Sequence, residues 1–213
     1  FDPGGKQLDI ENLANPLVER VYEMGSIMKP LTMSAGLDAK VVTPLTTYDD
    51  QGVVTFGNQE IGNYDRRGRG IVSMQEVLNQ SLNTGAVYIM QQLGRERFAK
   101  YFQDFGLLGE KTGIDLPGES SGLADNLKSQ RAVEYATASF GQGIAITPLT
   151  ITTALSALAN GGVLVSDVDH PEPSDVLGSL DEGAVDGAQR LAGVVDGDRA
   201  RRRARSRKNG LCE

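Results

Sequence analysis

This chain of 213 residues has one histidine, one cysteine and no tryptophan. The histidine, His170, stands in a stretch rich in acidic residues, so no histidine-based catalytic triad fits the rest of the chain. A single cysteine, Cys212, excludes an internal disulfide and argues against a thiolate metal centre. No apolar run is long enough to cross a membrane, no signal peptide is present and no repeat is visible. The net charge of −7 gives no reason to expect a nucleic-acid partner. A hydrophobic content of 39% suffices for one domain with its own core.

What the chain does have is a hydroxyl and an amine three positions apart, Ser26 and Lys29, in Tyr22-Glu-Met-Gly-Ser-Ile-Met-Lys-Pro30. On a helix they share one face, close enough for the amine to take the hydroxyl's proton. Such a pair can form a serine nucleophile with a lysine base and needs no histidine. One Ser-x-x-Lys is expected by chance in roughly every chain of this length. Gly25 permits a sharp turn into a helix, which places Ser26 at the helix N-terminus, where free N–H groups favour an oxyanion. Pro30, lacking an N–H, fits only if the helix starts about there. Leu31, Met33, Ala35 and Leu37 then read as a buried helix. Locally, an N-cap Ser26 with a solvated Lys29 explains the pattern equally well.

Ser81-Leu82-Asn83 is the one Ser-x-Asn in the chain and falls between two punctuated helices. Ser73-Met-Gln-Glu76 reads as a capping box with Val77 and Leu78 facing inward. Thr84 reads as the cap of a helix over Gly85–Gln92 that Gly94 ends. Ser81 and Asn83 would then lie on a short turn, one offering a hydroxyl for proton relay and the other an amide for orienting a substrate.

Together Tyr22–Pro30, Gln80-Ser-Leu-Asn-Thr-Gly85, Gly113-Ile-Asp-Leu-Pro-Gly-Glu119 and Phe140-Gly-Gln-Gly-Ile144 through Asn160-Gly-Gly162 resemble a class B penicillin-binding protein transpeptidase domain, one of the penicillin-recognising serine enzymes. The resemblance covers roughly residues 1 to 164, and Met24 stands where the family usually has proline. It implies an α+β fold of the penicillin-binding transpeptidase and β-lactamase type, helices against an antiparallel sheet, with the sheet incomplete here. It implies peptidoglycan cross-linking through a serine acyl-enzyme that needs no metal or organic cofactor, in the service of cell shape or division. Ser26 would be the nucleophile, Lys29 the base, Ser81 a proton relay and Asn83, with Ser81, a substrate-binding residue. The implied partners are stem peptides ending in D-Ala-D-Ala, β-lactam antibiotics and cell-envelope assembly proteins. The implied location is the extracytoplasmic side of a bacterial cytoplasmic membrane, with the anchor elsewhere in the parent protein. A β-lactamase, with Glu119 as the candidate glutamate over the serine, or a D,D-carboxypeptidase of the same superfamily is an alternative, as is a non-enzymatic penicillin-binding relic.

The family's third motif, Lys-Thr-Gly, is expected on a strand downstream of Phe140. Lys111-Thr112-Gly113 precedes it, in a Gly- and Pro-dense stretch that reads as a loop. The chain is therefore expected to stop short of the third motif and to be nearly inactive. Residues 1–165 form the partial transpeptidase domain, and 166–213 an atypical tail. That tail is acidic from Asp167 to Asp198, with Arg190 its single basic residue, and basic from Arg199 to Lys208. It reads as an out-of-frame or substituted terminus, or as an acidic linker with a basic arm for nucleic acid or a membrane surface. Resequencing the coding DNA separates the two.

Further elements follow from pattern. Asn12–Val21 leads into the active-site helix, and Val53–Phe56 with Glu60-Ile61 makes a hairpin about Gly57-Asn58. Arg95–Phe105 is a helix with Phe98, Phe102 and Phe105 inward and Gly106 as its cap. Thr147-Pro148 opens a helix that Gly161 stops, and Val163–Val165 begins a strand.

Overall fold

The computed structural model describes residues 14–165. Expectations for the tail from 166 onward, and for Asn12, lie outside the described residues. A four-residue helix, α1 (Pro16–Glu19), and a 3₁₀ turn (Gly25–Met28) lead into α2 (Lys29–Asp38). Four short strands follow, β1 (Thr47–Asp50), β2 (Val53–Phe56), β3 (Gln59–Gly62) and β4 (Gly70–Ser73). The helices that follow are α3 (Met74–Asn79), α4 (Asn83–Leu93), α5 (Arg95–Asp104), a 3₁₀ turn (Asp125–Lys128), α6 (Ala132–Ala138) and α7 (Pro148–Ala159), with irregular chain between them.

α2 is the centre of the molecule. Every residue from Leu31 to Leu37 is buried, so the helix is enclosed on all sides, with α4, α5 and α7 packed around it. Gly36 permits the approach of α4: a Cβ there would stand 2.6 Å from Cγ2 of Ile89. The chain enters α2 through the Gly25–Met28 turn, and Pro30 falls in the first helical turn, where no N–H is missed. Ser26 therefore sits immediately ahead of a fixed helix.

The expected α+β architecture is present, with the sheet reduced to two antiparallel pairs among the described residues. β1 pairs with β4 and β2 with β3, the second as the hairpin expected about Gly57. Two isolated bridges, Tyr22 with Ile146 and Leu123 with Ala145, join further segments.

α5 carries its aromatic face inward as read from its spacing. Phe98 and Phe102 are fully buried with ring centroids 4.2 Å apart, and Tyr135 of α6 meets Phe98 edge-on at 6.5 Å. Phe98→Ala is expected to cost about 3–5 kcal/mol, read as a fall in the urea midpoint at unchanged m. α7 begins as expected: the Thr147 hydroxyl accepts from the N–H of Thr150 and Pro148 follows.

Four local expectations are corrected. α4 begins at Asn83, not Gly85, and Thr84 is not its cap; Leu82 holds that position without a side-chain bond. Thr84 lies buried in the first turn, its hydroxyl drawn to the carboxylate of Asp50. Only half of the Ser73 capping box forms. Ser73 accepts from Glu76 N–H, while the Glu76 carboxylate accepts from Asn79 and Gln80 instead of turning back. Val163–Val165 is not a strand; the Val163 N–H bonds the Asn160 carbonyl and closes a turn after α7.

Candidate active site

Lys29 is 3% exposed, and its ammonium lies among oxygen acceptors. Nζ stands 3.2 Å from Ser26 Oγ, 2.9 Å from Ser81 Oγ and 2.5 Å from the Ser81 carbonyl. The first contact is local, one turn along the chain. The other two cross from α2 to the turn between α3 and α4. Burial lowers the Lys29 pKa from 10.5 to about 8, because a charged ammonium is poorly solvated there. A neutral amine has two N–H groups and one lone pair. With the N–H groups given to the two Ser81 oxygens, the lone pair is left facing the Ser26 hydroxyl.

Ser81 adopts φ 54°, a left-handed conformation that costs a non-glycine residue about 1–2 kcal/mol. It ends α3, with Leu82 N–H bonded to the Val77 carbonyl at 2.9 Å. The turn rotates both the carbonyl and the hydroxyl of Ser81 toward Lys29. Asn83 opens α4, and its Nδ2 donates to the Gly62 carbonyl at 2.8 Å. The structure thus brings Ser26, Lys29 and Ser81 into one hydrogen-bonded set. Asn83 flanks that set with its amide held by the end of β3.

The Ser26 turn is fixed from behind by Ala138–Gly143. Gly25 has φ 60°, and its N–H donates to the Gly141 carbonyl at 3.0 Å. Gly143 N–H donates to Glu23 Oε1 at 2.8 Å, and the Thr32 hydroxyl to the Ser139 carbonyl at 2.8 Å. Tyr22 and Ile146 exchange both backbone bonds on the far side. The sequence reading gave Phe140–Ile144 no role in the site. The two glycines of Phe-Gly-Gln-Gly were the available signal, since paired glycines mark close backbone approach.

Lys111-Thr112-Gly113 is a loop, as its composition predicted. Lys111 is exposed, while Glu119 accepts from Thr112 N–H at 2.6 Å, Thr112 Oγ1 at 2.7 Å and Gly113 N–H at 3.2 Å. These bonds commit both the triplet and Glu119 to the loop. The Glu119 carboxylate, the candidate base of the β-lactamase alternative, thus accepts its bonds within this loop.

Residues 1–167 match the penicillin binding protein transpeptidase domain family. Stage V sporulation protein D of Bacillus subtilis (strain 168) is 40% identical over 168 residues, covering 77% of this chain and 26% of the relative. A probable peptidoglycan D,D-transpeptidase FtsI of Caulobacter vibrioides is 32% identical over 148 residues, covering 70% of this chain and 24% of the relative. The chain therefore spans about a quarter of the length of these curated relatives. Penicillin binding protein 3 of Mycobacterium tuberculosis, solved in complex with aztreonam, superposes with a TM-score of 0.66 at 31% identity, over 72% of this chain and 34% of that one.

Proposed function

This chain belongs to the class B penicillin-binding protein transpeptidases, and we propose that it carries the acyl-transfer centre of a peptidoglycan D,D-transpeptidase. Ser26 Oγ attacks the carbonyl between the two D-alanines of a stem peptide and gives its proton to Lys29 Nζ. The Ser26 N–H, in the first turn of the entry to α2, faces the oxyanion. Collapse breaks the peptide bond, and the departing D-alanine amine takes its proton from Lys29 by way of Ser81 Oγ. Asn83 orients the substrate amide through Oδ1 while Gly62 holds Nδ2. An amine of a neighbouring stem then displaces Ser26 and completes the cross-link. Such a reaction takes place on the extracytoplasmic face of the cytoplasmic membrane, where envelope assembly proteins are further partners. No helix of the described residues is long and apolar enough to cross a membrane.

The observation that carries this reading is the buried Lys29 amine within hydrogen-bonding reach of both serine hydroxyls. Few structural roles require a lysine that is buried, desolvated and surrounded by hydroxyl groups instead of carboxylates.

Incubation with a labelled penicillin, followed by peptide mapping, tests it. A stable adduct on the Ser26 peptide is expected. Rapid release would favour a hydrolase, and labelling elsewhere or none would overturn the proposal. Turnover is expected to be slow. Among the described residues Thr112 and Gly113 are committed to Glu119 and offer no second oxyanion donor, and one missing donor costs about 10²–10³ in rate. The labelling is therefore followed over hours.

A further inference from the structure

Behind the Ser81–Asn83 turn lies a buried polar cluster that the reaction does not use. Asp50, at the end of β1, is 1% exposed, and among the described residues no side-chain cation is hydrogen-bonded to it. Its Oδ1 accepts from Gly52 N–H at 2.9 Å, Asn63 Nδ2 at 3.0 Å and Thr84 Oγ1 at 2.7 Å. Its Oδ2 accepts from Asn63 Nδ2 at 2.9 Å and Arg69 N–H at 3.2 Å. A carboxylate is costly to bury and is retained only when its oxygens are fully engaged. Here the donors come from four residues on three separate segments of chain, the β1–β2 turn, the β3–β4 connection and the start of α4.

The last of these segments needs a partner itself. A helix start leaves its first N–H groups without partners, and Leu82 at the cap position cannot supply one. Asn63 Oδ1 supplies it across space, accepting from Thr84 N–H at 3.2 Å. Asp50 holds Asn63 by its amide nitrogen and so fixes which end of that side chain faces α4. The Thr84 hydroxyl donates to Asp50 and receives the hydroxyl of Tyr48 at 3.1 Å. Thr84 directly follows Asn83 and lies one turn beyond Ser81, so the anchor sits as close to the reacting groups as it can without touching them.

We propose that Asp50, with Asn63 and Thr84, forms a positioning unit that caps α4 from a distance and holds the strained Ser81–Asn83 turn against Lys29. The inference rests on the proposed function and extends it to residues that never contact substrate. Lys29 grips Ser81 from the front and the Asp50 cluster grips Thr84 from behind. A left-handed serine persists only where its surroundings over-determine it. Loosening the rear anchor lets Ser81 relax away from Lys29, and misplacement by about 1 Å costs up to ~10² in rate.

The test compares the unaltered chain with Asp50→Asn, Thr84→Val and Thr84→Ser. Labelled penicillin is followed at saturation to separate the acylation rate constant from the fraction of molecules labelled. Asp50→Asn turns an amide donor toward donors and is expected to slow acylation about tenfold or more. Thr84→Val, nearly isosteric, is expected to slow it about tenfold, and Thr84→Ser to restore most of that loss. Hydrogen exchange of the Thr84 amide is expected to quicken at least tenfold in Asp50→Asn, with α5 and α7 unchanged. A scaffold without this positioning role would lower the labelled fraction but leave the rate constant of the folded molecules intact. That outcome in both Asp50→Asn and Thr84→Val overturns this inference alone. Absence of a Ser26 adduct in the unaltered chain overturns the proposed function and this inference together.

Discussion

Lys29→Met is expected to slow acylation of Ser26 by penicillin about 10²–10⁴-fold, the range a positioned general base contributes. Methionine fills nearly the same volume without a lone pair for the Ser26 proton. It also removes an ammonium that burial makes costly, so the thermal midpoint is expected to stay within a few degrees of the parent. Lys29→Arg serves as the partner experiment. It keeps the charge but cannot deprotonate, and is expected to be as slow as Lys29→Met. A fast Lys29→Arg would assign Lys29 an electrostatic role and remove it as the base.

The pH dependence follows from the same burial. With a pKa of about 8, Lys29 is neutral in roughly one molecule in ten at pH 7. At the ordinary value of 10.5 the fraction would be about one in three thousand. The acylation rate should therefore rise about tenfold per unit below pH 7, bend near pH 8 and level off above pH 9. Stability moves in the same direction. Between pH 8 and 10.5 the unfolded chain binds the Lys29 proton and the folded chain has released it, so this residue makes stability increase with pH across that window. A rate profile flat from pH 6 to 9 would separate the proton transfer from Lys29.

What the sequence made legible was local. Ser26 and Lys29 are one turn apart, and the turn that joins them follows from Gly25 and Pro30. The same holds for α5, set by the spacing of Phe98, Phe102 and Phe105, and for α7, set by Thr147 and Pro148. The errors arose where a residue's partner lies far along the chain. Thr84 has a side chain suited to capping, but its hydroxyl goes to Asp50, 34 positions away, and the cap comes from Asn63. Val163–Val165 has the residues of a strand and no neighbour to pair with among the described residues. That Ser81 would face Lys29 followed from family resemblance and not from any spacing, since 52 positions separate them. Periodicity carries information about a residue's own helix or strand; convergence of segments is decided by packing, which no short window contains.

Gly141→Ala is expected to damage both the fold and the site. Gly141 has φ 80°, where an alanine is strained by about 1–2 kcal/mol before any contact is considered. A Cβ there would also stand 2.3 Å from the Gly25 carbonyl oxygen and 2.5 Å from its nitrogen, both backbone atoms that cannot swing aside. The clash can be relieved only by moving the Gly25–Met28 turn away from Phe140–Gly143, which breaks the Gly25 to Gly141 bond and carries Ser26 with it. Two readouts should respond together. The thermal midpoint should fall by several degrees, at about 2–4 °C per kcal/mol for a chain of this size. Among molecules that remain folded, acylation of Ser26 should fall about 10²-fold, because a shift of roughly 1 Å at the nucleophile suffices for that loss. Gln142→Ala is the matched control: Gln142 is exposed between the two glycines, and neither readout should change. If Gly141→Ala lowers the midpoint but acylates at the parent rate, the segment is only a brace for the fold. If both fall, the close contact of Gly141 with Gly25 sets the position from which Ser26 attacks.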